Sequence, residues 1–191
     1  MSAVDFSEQH PTPAQLVAAG VKAAVVKLNA TNRPTTQLVQ SYCAAGIVTA
    51  FYFEAEANDA AGGAPMGQLR ATQAEELLLG ILGAGWAADV PIYFAVDENV
   101  APSMTADYFV GIRRVLPCWR IGVYSDGAVL EYLAKIALAL FAWQSSSASY
   151  PGNAATSARA QLRQLAEISP VPGTDVDQIL AADFGQWPRP K

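Results

Sequence analysis

The stretch "PIYFAVDENV", Pro91 to Val100, runs through almost uninterrupted apolar residues and ends on two adjacent acids, Asp97 and Glu98. A proline followed by Ile, Tyr, Phe and Val reads as a strand covered on both faces, the kind found in parallel sheets. Side chains alternate across a strand, so Ile92, Phe94 and Val96 share one face and Tyr93, Ala95 and Asp97 the other. The bulky set suits a layer of helices. The second set points Asp97 into whatever the sheet encloses and leaves Glu98 facing outward or into the following loop.

Outward from this strand the chain repeats one beat, a short apolar run followed by a helical pattern. The candidate strands are Ala3 to Phe6, Ala23 to Leu28, Val48 to Glu54, Ile92 to Asp97, Arg120 to Tyr124, Ala139 to Gln144, Ala160 to Leu165 and Asp175 to Leu180. Helices are signalled by "TPAQLVAAG", with Thr12 as N-cap, Pro13 in the first turn and Gly20 as stop, and by "TTQLVQSYCAAG", stopped at Gly46. A long segment from Ala64 to Trp86, then "SMTADYFVGIRRVL" with Ser103 available as a cap, and "DGAVLEYLAK" continue the series. The last third departs from the beat. "SSSASYPGNAATSA" and "EISPVPGT" are small and polar, and read as loops in place of helices. The expected fold is therefore α/β, a single (β/α)8 TIM barrel over residues 1–191 with shortened helices in its last third.

Composition narrows the function. With 52% hydrophobic and 15% charged residues, a chain of 191 residues can bury a full core. The net charge of −5, with 12 Lys and Arg scattered along the chain and adjacent only at Arg113 and Arg114, offers no basic stripe, so neither nucleic acid nor a membrane is an expected partner. No apolar run approaches the roughly 18 residues of a membrane helix, and "MSAVDFSEQH" lacks the basic and apolar regions of a signal peptide. Cys43 and Cys118 lack the spacing of a metal or disulfide framework and read as small buried hydrophobes. His10 is the sole histidine. No metal and no cofactor are expected, and the chain is expected to be a monomer.

Strand parity gathers polar groups inside the barrel. Asp5 falls inward beside Ala3, and Lys27 lies opposite the apolar Ala24, Val26 and Leu28. Tyr52 and Glu54 share the inner face of strand three, Tyr124 joins Gly122 on strand five, and Asp175 and Asp177 share one side of strand eight. Gln144 and Gln164, on strands six and seven, are further candidate substrate contacts. A single acid at a strand end is commonly a helix cap. Acids on the inner faces of several strands are harder to explain in that way, because uncompensated charge in an interior is costly and one lysine cannot neutralise them all. Glu56, Asp59, Glu75, Glu76, Glu131 and Glu167 read as solvated surface.

The segments "VDFSEQHPTPAQLVAAGVKAAVVKLNA", "GIVTAFYFEAE", "PIYFAVDENV" and "VDQILAADFGQW", in this order and spacing, resemble the glycoside-hydrolase-like TIM-barrel family, whose relatives include the family 25 lysozymes and phage endolysin catalytic modules. The resemblance implies catalytic carboxylates at Asp97, Glu54, Asp5 and Asp177, with Lys27 as the basic residue of strand two. It implies a peptidoglycan or related amino-sugar substrate, and action on the cell wall after secretion or phage release. One departure is serious: family 25 enzymes carry an Asp-x-Glu pair at strand four, where this chain has Ala95 and Asp97. A muramidase-like hydrolase is thus the leading expectation. The alternative is a carbohydrate-binding barrel with weak or no catalysis. A barrel for phosphorylated metabolites fits less well, because "SSSASYPGN" has only Gly152 where a glycine-rich phosphate loop would lie.

Overall fold

The computed structural model describes residues 2–31 and 33–189. Eight strands close a barrel in chain order: β1 (Ser2–Phe6), β2 (Ala23–Leu28), β3 (Val48–Phe53), β4 (Ile92–Ala95), β5 (Ile121–Ser125), β6 (Phe141–Gln144), β7 (Leu162–Leu165) and β8 (Asp175–Ile179). Neighbours from β1 to β7 are parallel, but β8 pairs antiparallel with both β7 and β1. This reversal has a simple cause. A parallel return needs a crossover of a dozen or more residues, and the link at 166–174, with no helix of its own, returns as a hairpin. The N-terminal end of β8 therefore rises to the same rim as the C-terminal ends of the other seven.

The helices α1 (Pro13–Ala18), α2 (Thr36–Ala44), α3 (Gly63–Leu82), α4 (Ala84–Ala87), α5 (Ala106–Arg113) and α6 (Gly127–Lys135) cover the first two thirds of the barrel. Thr12 caps α1 in a reciprocal box with Gln15, and the stops at Gly20 and Gly46 take positive φ of 71° and 77°. Ser103 does not cap α5. It lies inside a 3₁₀ turn, Pro102–Thr105, that leads into the helix without a side-chain cap. After β6 the described chain has only a short 3₁₀ turn, Pro151–Asn153, which matches the shortened last third.

Two apolar layers obey the expected parity. Ile92, Phe94 and Val96 join the core between sheet and helices, whereas Ala3, Val25, Ala50, Tyr52, Tyr93 and Trp143 fill the lumen. Gly122 is needed there, because a Cβ at this position would sit 2.6 Å from the Tyr93 ring. The Tyr93 hydroxyl donates to the Phe184 carbonyl at 2.6 Å, and Trp187 exchanges backbone bonds with Thr49, so residues after β8 close the barrel floor.

Two acids read as solvated surface are structural instead. Asp59 is buried and accepts a bidentate Arg70 guanidinium, with contacts of 2.8 and 3.0 Å. Glu75 accepts both terminal nitrogens of the buried Arg120, at 2.9 and 2.7 Å, while Arg120 Nε donates to the Val90 carbonyl. Asp59, in the 3₁₀ turn Asp59–Gly62 that precedes α3, meets an arginine of α3 itself, whereas Glu75 on α3 meets one from a distant segment. The cysteines are free and half-buried, less enclosed than expected.

Removing Arg120 would strand the Val90 carbonyl and leave Glu75 without its partner. Arg120→Ala is expected to lower the unfolding free energy by about 3 kcal/mol. Arg159→Ala, which breaks a 3.6 Å pair with Glu131 between two well-exposed side chains, should cost less than about 1 kcal/mol. Urea unfolding of the two variants beside the parent chain checks this ranking.

Candidate functional site

The reversed β8 determines which acids meet. Asp5 on β1 pairs in register with Asp175, and Asp177 lies one pleat lower, opposite Ala3 and Gln164. Alternation turns Asp175 and Asp177 inward with Asp5. From the other side, β2 and β3 deliver Lys27 and, just past the strand end, Glu54, whose Oε2 accepts from Lys27 Nζ at 2.5 Å. Asp97 stands two residues beyond the end of β4, on the parity set by Tyr93 and Ala95.

These side chains line a groove of about 450 Å³ at the mouth of the barrel. Asp5, Glu54, Asp97 and Asp175 face it, with Lys27, Tyr52, Tyr124, Trp143 and Gln164. Its acids outnumber the lysine, so the groove carries a negative field that disfavours anions and suits hydroxyl and amide donors. Tyr124 packs on Trp143 with ring centroids 4.3 Å apart, and Tyr52 meets the same indole edge-on at 5.4 Å.

Beneath the groove a polar chain fixes the acids. Tyr124 donates its hydroxyl to Gln164 Oε1 at 2.9 Å, Ser146 donates to the same oxygen at 3.1 Å, and Gln164 Nε2 donates to Asp5 Oδ2 at 3.0 Å. Asp177 is fully buried; its Oδ1 accepts the Trp143 indole N–H at 2.7 Å. Its Oδ2 is buried with no donor among the described residues. A proton carried by Asp177 itself resolves this, bonding toward Asp5: burial first, and then the Asp5 charge, holds Asp177 well above the usual carboxylate range. Burial also raises Asp5, to about 6, against the lowering bond from Gln164 and with a further push from Asp175. The Asp5 charge thus adds to burial in favouring the protonated form of Asp177.

At the rim, burial raises Asp97 as well, and Glu54 adds to the shift while the Tyr150 hydrogen bond and Lys27 oppose it. The Tyr150 hydroxyl donates to Asp97 Oδ1 at 3.2 Å. Burial and the surrounding carboxylates drive Tyr52 and Tyr124 far upward, so both stay neutral hydrogen-bonding phenols. Glu98 is absent from the groove wall.

Of the residues expected from sequence, Asp5, Lys27, Tyr52, Glu54, Asp97, Tyr124 and Gln164 line the groove and Asp177 lies directly beneath it. Gln144 does not reach it. Fully buried on the outer face of β6, it donates to Asn153 Oδ1 and the Ala155 carbonyl and accepts from Ser157 N, pinning the β6–β7 loop. Its neighbour Trp143 takes the inward place. The alternation of Phe141 and Trp143 against Ala142 and Gln144 carried that signal. Tyr150, Ser146 and Ser147 were missed because they sit in an irregular loop, where no period assigns a direction. Among the described residues no cluster of His, Cys, Asp and Glu could hold a metal ion.

A closed barrel with carboxylates and tyrosines gathered at one mouth defines a glycoside-hydrolase-like barrel. The chain belongs to the Rv2525c-like, glycoside hydrolase-like domain family, whose model matches residues 14–181. Rv2525c of Mycobacterium tuberculosis, a candidate peptidoglycan hydrolase, is 30% identical over 144 residues, which span 71% of this chain and 58% of that protein. The crystal structure of the Tat-secreted Rv2525c superposes with a TM-score of 0.84 at 23% identity, covering 97% of this chain and 98% of that one. The spore cortex lytic enzyme SleM of Clostridium perfringens shares the fold with a TM-score of 0.65 at 12% identity, over 92% of this chain and 66% of its own. The catalytic domain of the endolysin ply40, from bacteriophage P40 of Listeria monocytogenes, does so at 0.57 and 12% identity, over 96% and 95%.

The raised pKa of Asp5 has a thermodynamic consequence. The folded state holds the Asp5 proton more tightly than the unfolded chain, so its destabilising effect is absent below about pH 4 and builds as pH rises to about 6. The full effect is on the order of 3 kcal/mol. Asp5→Asn is expected to match the parent in stability near pH 3.5 and exceed it at pH 8. Urea unfolding of both proteins across this range tests it; parallel curves would show that Asp5 is not shifted.

Proposed function

We propose that this chain is a muramidase-like glycoside hydrolase that cuts the amino-sugar backbone of peptidoglycan, acting on the cell wall as a monomer. The observation that carries this reading is a groove in which carboxyls of raised pKa stand beside an ion-paired one. Glycoside hydrolysis needs such a contrast, with one carboxyl able to give a proton and another charged. Two kinds of relative support the substrate: Rv2525c, described as a peptidoglycan hydrolase candidate, and the fold neighbours named for spore cortex lysis and phage lysis.

In this reading Asp97 is the acid. It is an exposed carboxyl at the rim of the groove, and Tyr150 occupies Oδ1, leaving Oδ2 for the proton and the leaving-group oxygen. With Ala95 lining the wall where family 25 enzymes carry a second acid, the substrate's own 2-acetamido group serves as nucleophile. Its carbonyl oxygen attacks the anomeric carbon as the glycosidic C–O bond breaks and Asp97 protonates the departing oxygen. Glu54, held by Lys27, accepts the amide N–H, and Tyr52 and Tyr124 orient the sugar. Ionised Asp5, backed by protonated Asp177 and anchored by Gln164, stabilises the developing positive charge. Water then attacks the anomeric carbon, breaking its bond to the acetamido oxygen and restoring the amide, and gives its proton to Asp97.

Ala95 also favours a second reading, a barrel that binds the glycan without cleaving it. Release of reducing ends from purified peptidoglycan separates the two. Asp97→Asn is expected to lower the rate by about 10² to 10⁴-fold, while Glu98→Gln retains it. The parent rate should fall on the alkaline side as Asp97 ionises, and Asp5→Asn should abolish the acid limb near pH 6. Background release by the parent chain, with retained binding, would establish the binding barrel instead.

A further inference from the structure

A second pocket, of about 560 Å³, lies behind the wall of the groove. Lys27 and Glu54 line both, so a single ion pair separates them and a ligand in one abuts the other. The two spaces differ in character. The groove is mostly polar, whereas the second pocket has an apolar base of Phe53, Ala55 and Leu77. Its charged groups also differ. Arg70 is committed to Asp59, but Arg33 and Glu76, both exposed, form no ion pair among the described residues. The Arg33 guanidinium lies over α3 beside Gly80, where an added Cβ would stand 3.4 Å from it. One cation and one anion with no ion-pair partner among the described residues therefore border an apolar base, next to a groove suited to neutral sugars.

Peptidoglycan has a branch of matching chemistry. Every second sugar carries a short peptide on a lactyl ether, with carboxylates, a side-chain amine and several alanine methyl groups. We infer that the pocket behind the Lys27–Glu54 pair is a subsite for this peptide branch, with its carboxylate on Arg33, its ammonium on Glu76 and its methyl groups on Phe53 and Leu77. The inference rests on the reading of peptidoglycan as the substrate. A glycan strand lying in the groove directs its peptide-bearing oxygen toward one side, and the shared ion pair makes this the side where a branch finds space. A guanidinium meeting a carboxylate there gains a charge-assisted bond of planar geometry. Uncut, unbranched glycans would leave the subsite empty.

The test is titration calorimetry of the intact chain with two soluble polymers, uncross-linked peptidoglycan strands that carry their peptides and the same strands stripped of peptides by an amidase. The parent is expected to bind the peptide-bearing strands about 10-fold more tightly than stripped glycan. Arg33→Ala and Glu76→Gln alter exposed side chains outside the groove, so both should fold as the parent does. Each is expected to lose most of that preference, by about 5-fold, with binding to stripped glycan unchanged. Equal binding of the parent to both polymers, or a preference that survives both substitutions, would overturn the subsite while leaving the glycan reading intact. Binding to neither polymer would overturn both.

Discussion

Two carboxyls from strands that run in opposite directions, Asp5 on β1 and Asp177 on β8, come together just under the barrel mouth, where burial pushes both above the usual carboxylate range. Much of the surrounding polar structure answers to that constraint. Trp143 gives its indole N–H to Asp177, Gln164 gives its amide to Asp5, and Tyr124 and Ser146 orient Gln164 in turn. Each of these side chains also touches or borders the groove. The lumen therefore has little freedom to change one polar group without disturbing the others. A protein selected for stability alone would replace the pair with apolar residues. Here the pair stands in a lumen otherwise filled by alanine, valine, leucine and aromatics.

The division of labour along the groove follows from depth. The deepest carboxyl, Asp177, is fully buried and pushed well above the usual carboxylate range; Asp5, one pleat higher, is raised to about 6; Asp97 at the open rim is shifted in the same direction and meets solvent. Lys27 and Glu54 compensate each other on the opposite wall. Strand geometry alone produces this gradient, since each step of two residues along β1, β4 or β8 changes exposure and keeps the side chain facing inward.

The parts of this arrangement legible in the sequence were those governed by a period. The eight apolar runs, the inward set Asp5, Lys27, Tyr52, Glu54, Asp97 and Tyr124, and the caps at Thr12 and Gly20 all follow from alternation or helix-end chemistry. What was hidden depends on long-range geometry. The direction of β8 is set by the length of a link whose residues have no pattern. Tyr150 reaches Asp97 from a loop held by Asn153, which donates to Ser145 and Ser147 and accepts from Gly127. Asp59 and Glu75 resemble any exposed acid until Arg70 and Arg120 are brought to them. Gln144 differs in kind, because the alternation that places it outside was present in the four residues of its own strand.

The hairpin between β7 and β8 gives this barrel an unusual rim. In a barrel of uniformly parallel strands every connection that enters an eighth strand does so from the floor, away from the ligand. Here residues 166–174 stay at the mouth, fastened by the buried Val171 and by the hydroxyl pair Ser169 and Thr174, with Ile168 wholly exposed at the tip. A lengthened or exchanged tip would grow directly over the groove without crossing the barrel or breaking a sheet pairing. The closing hairpin is thus a natural grafting point, where substrate reach can be altered while the floor sealed by Phe184 and Trp187 remains untouched.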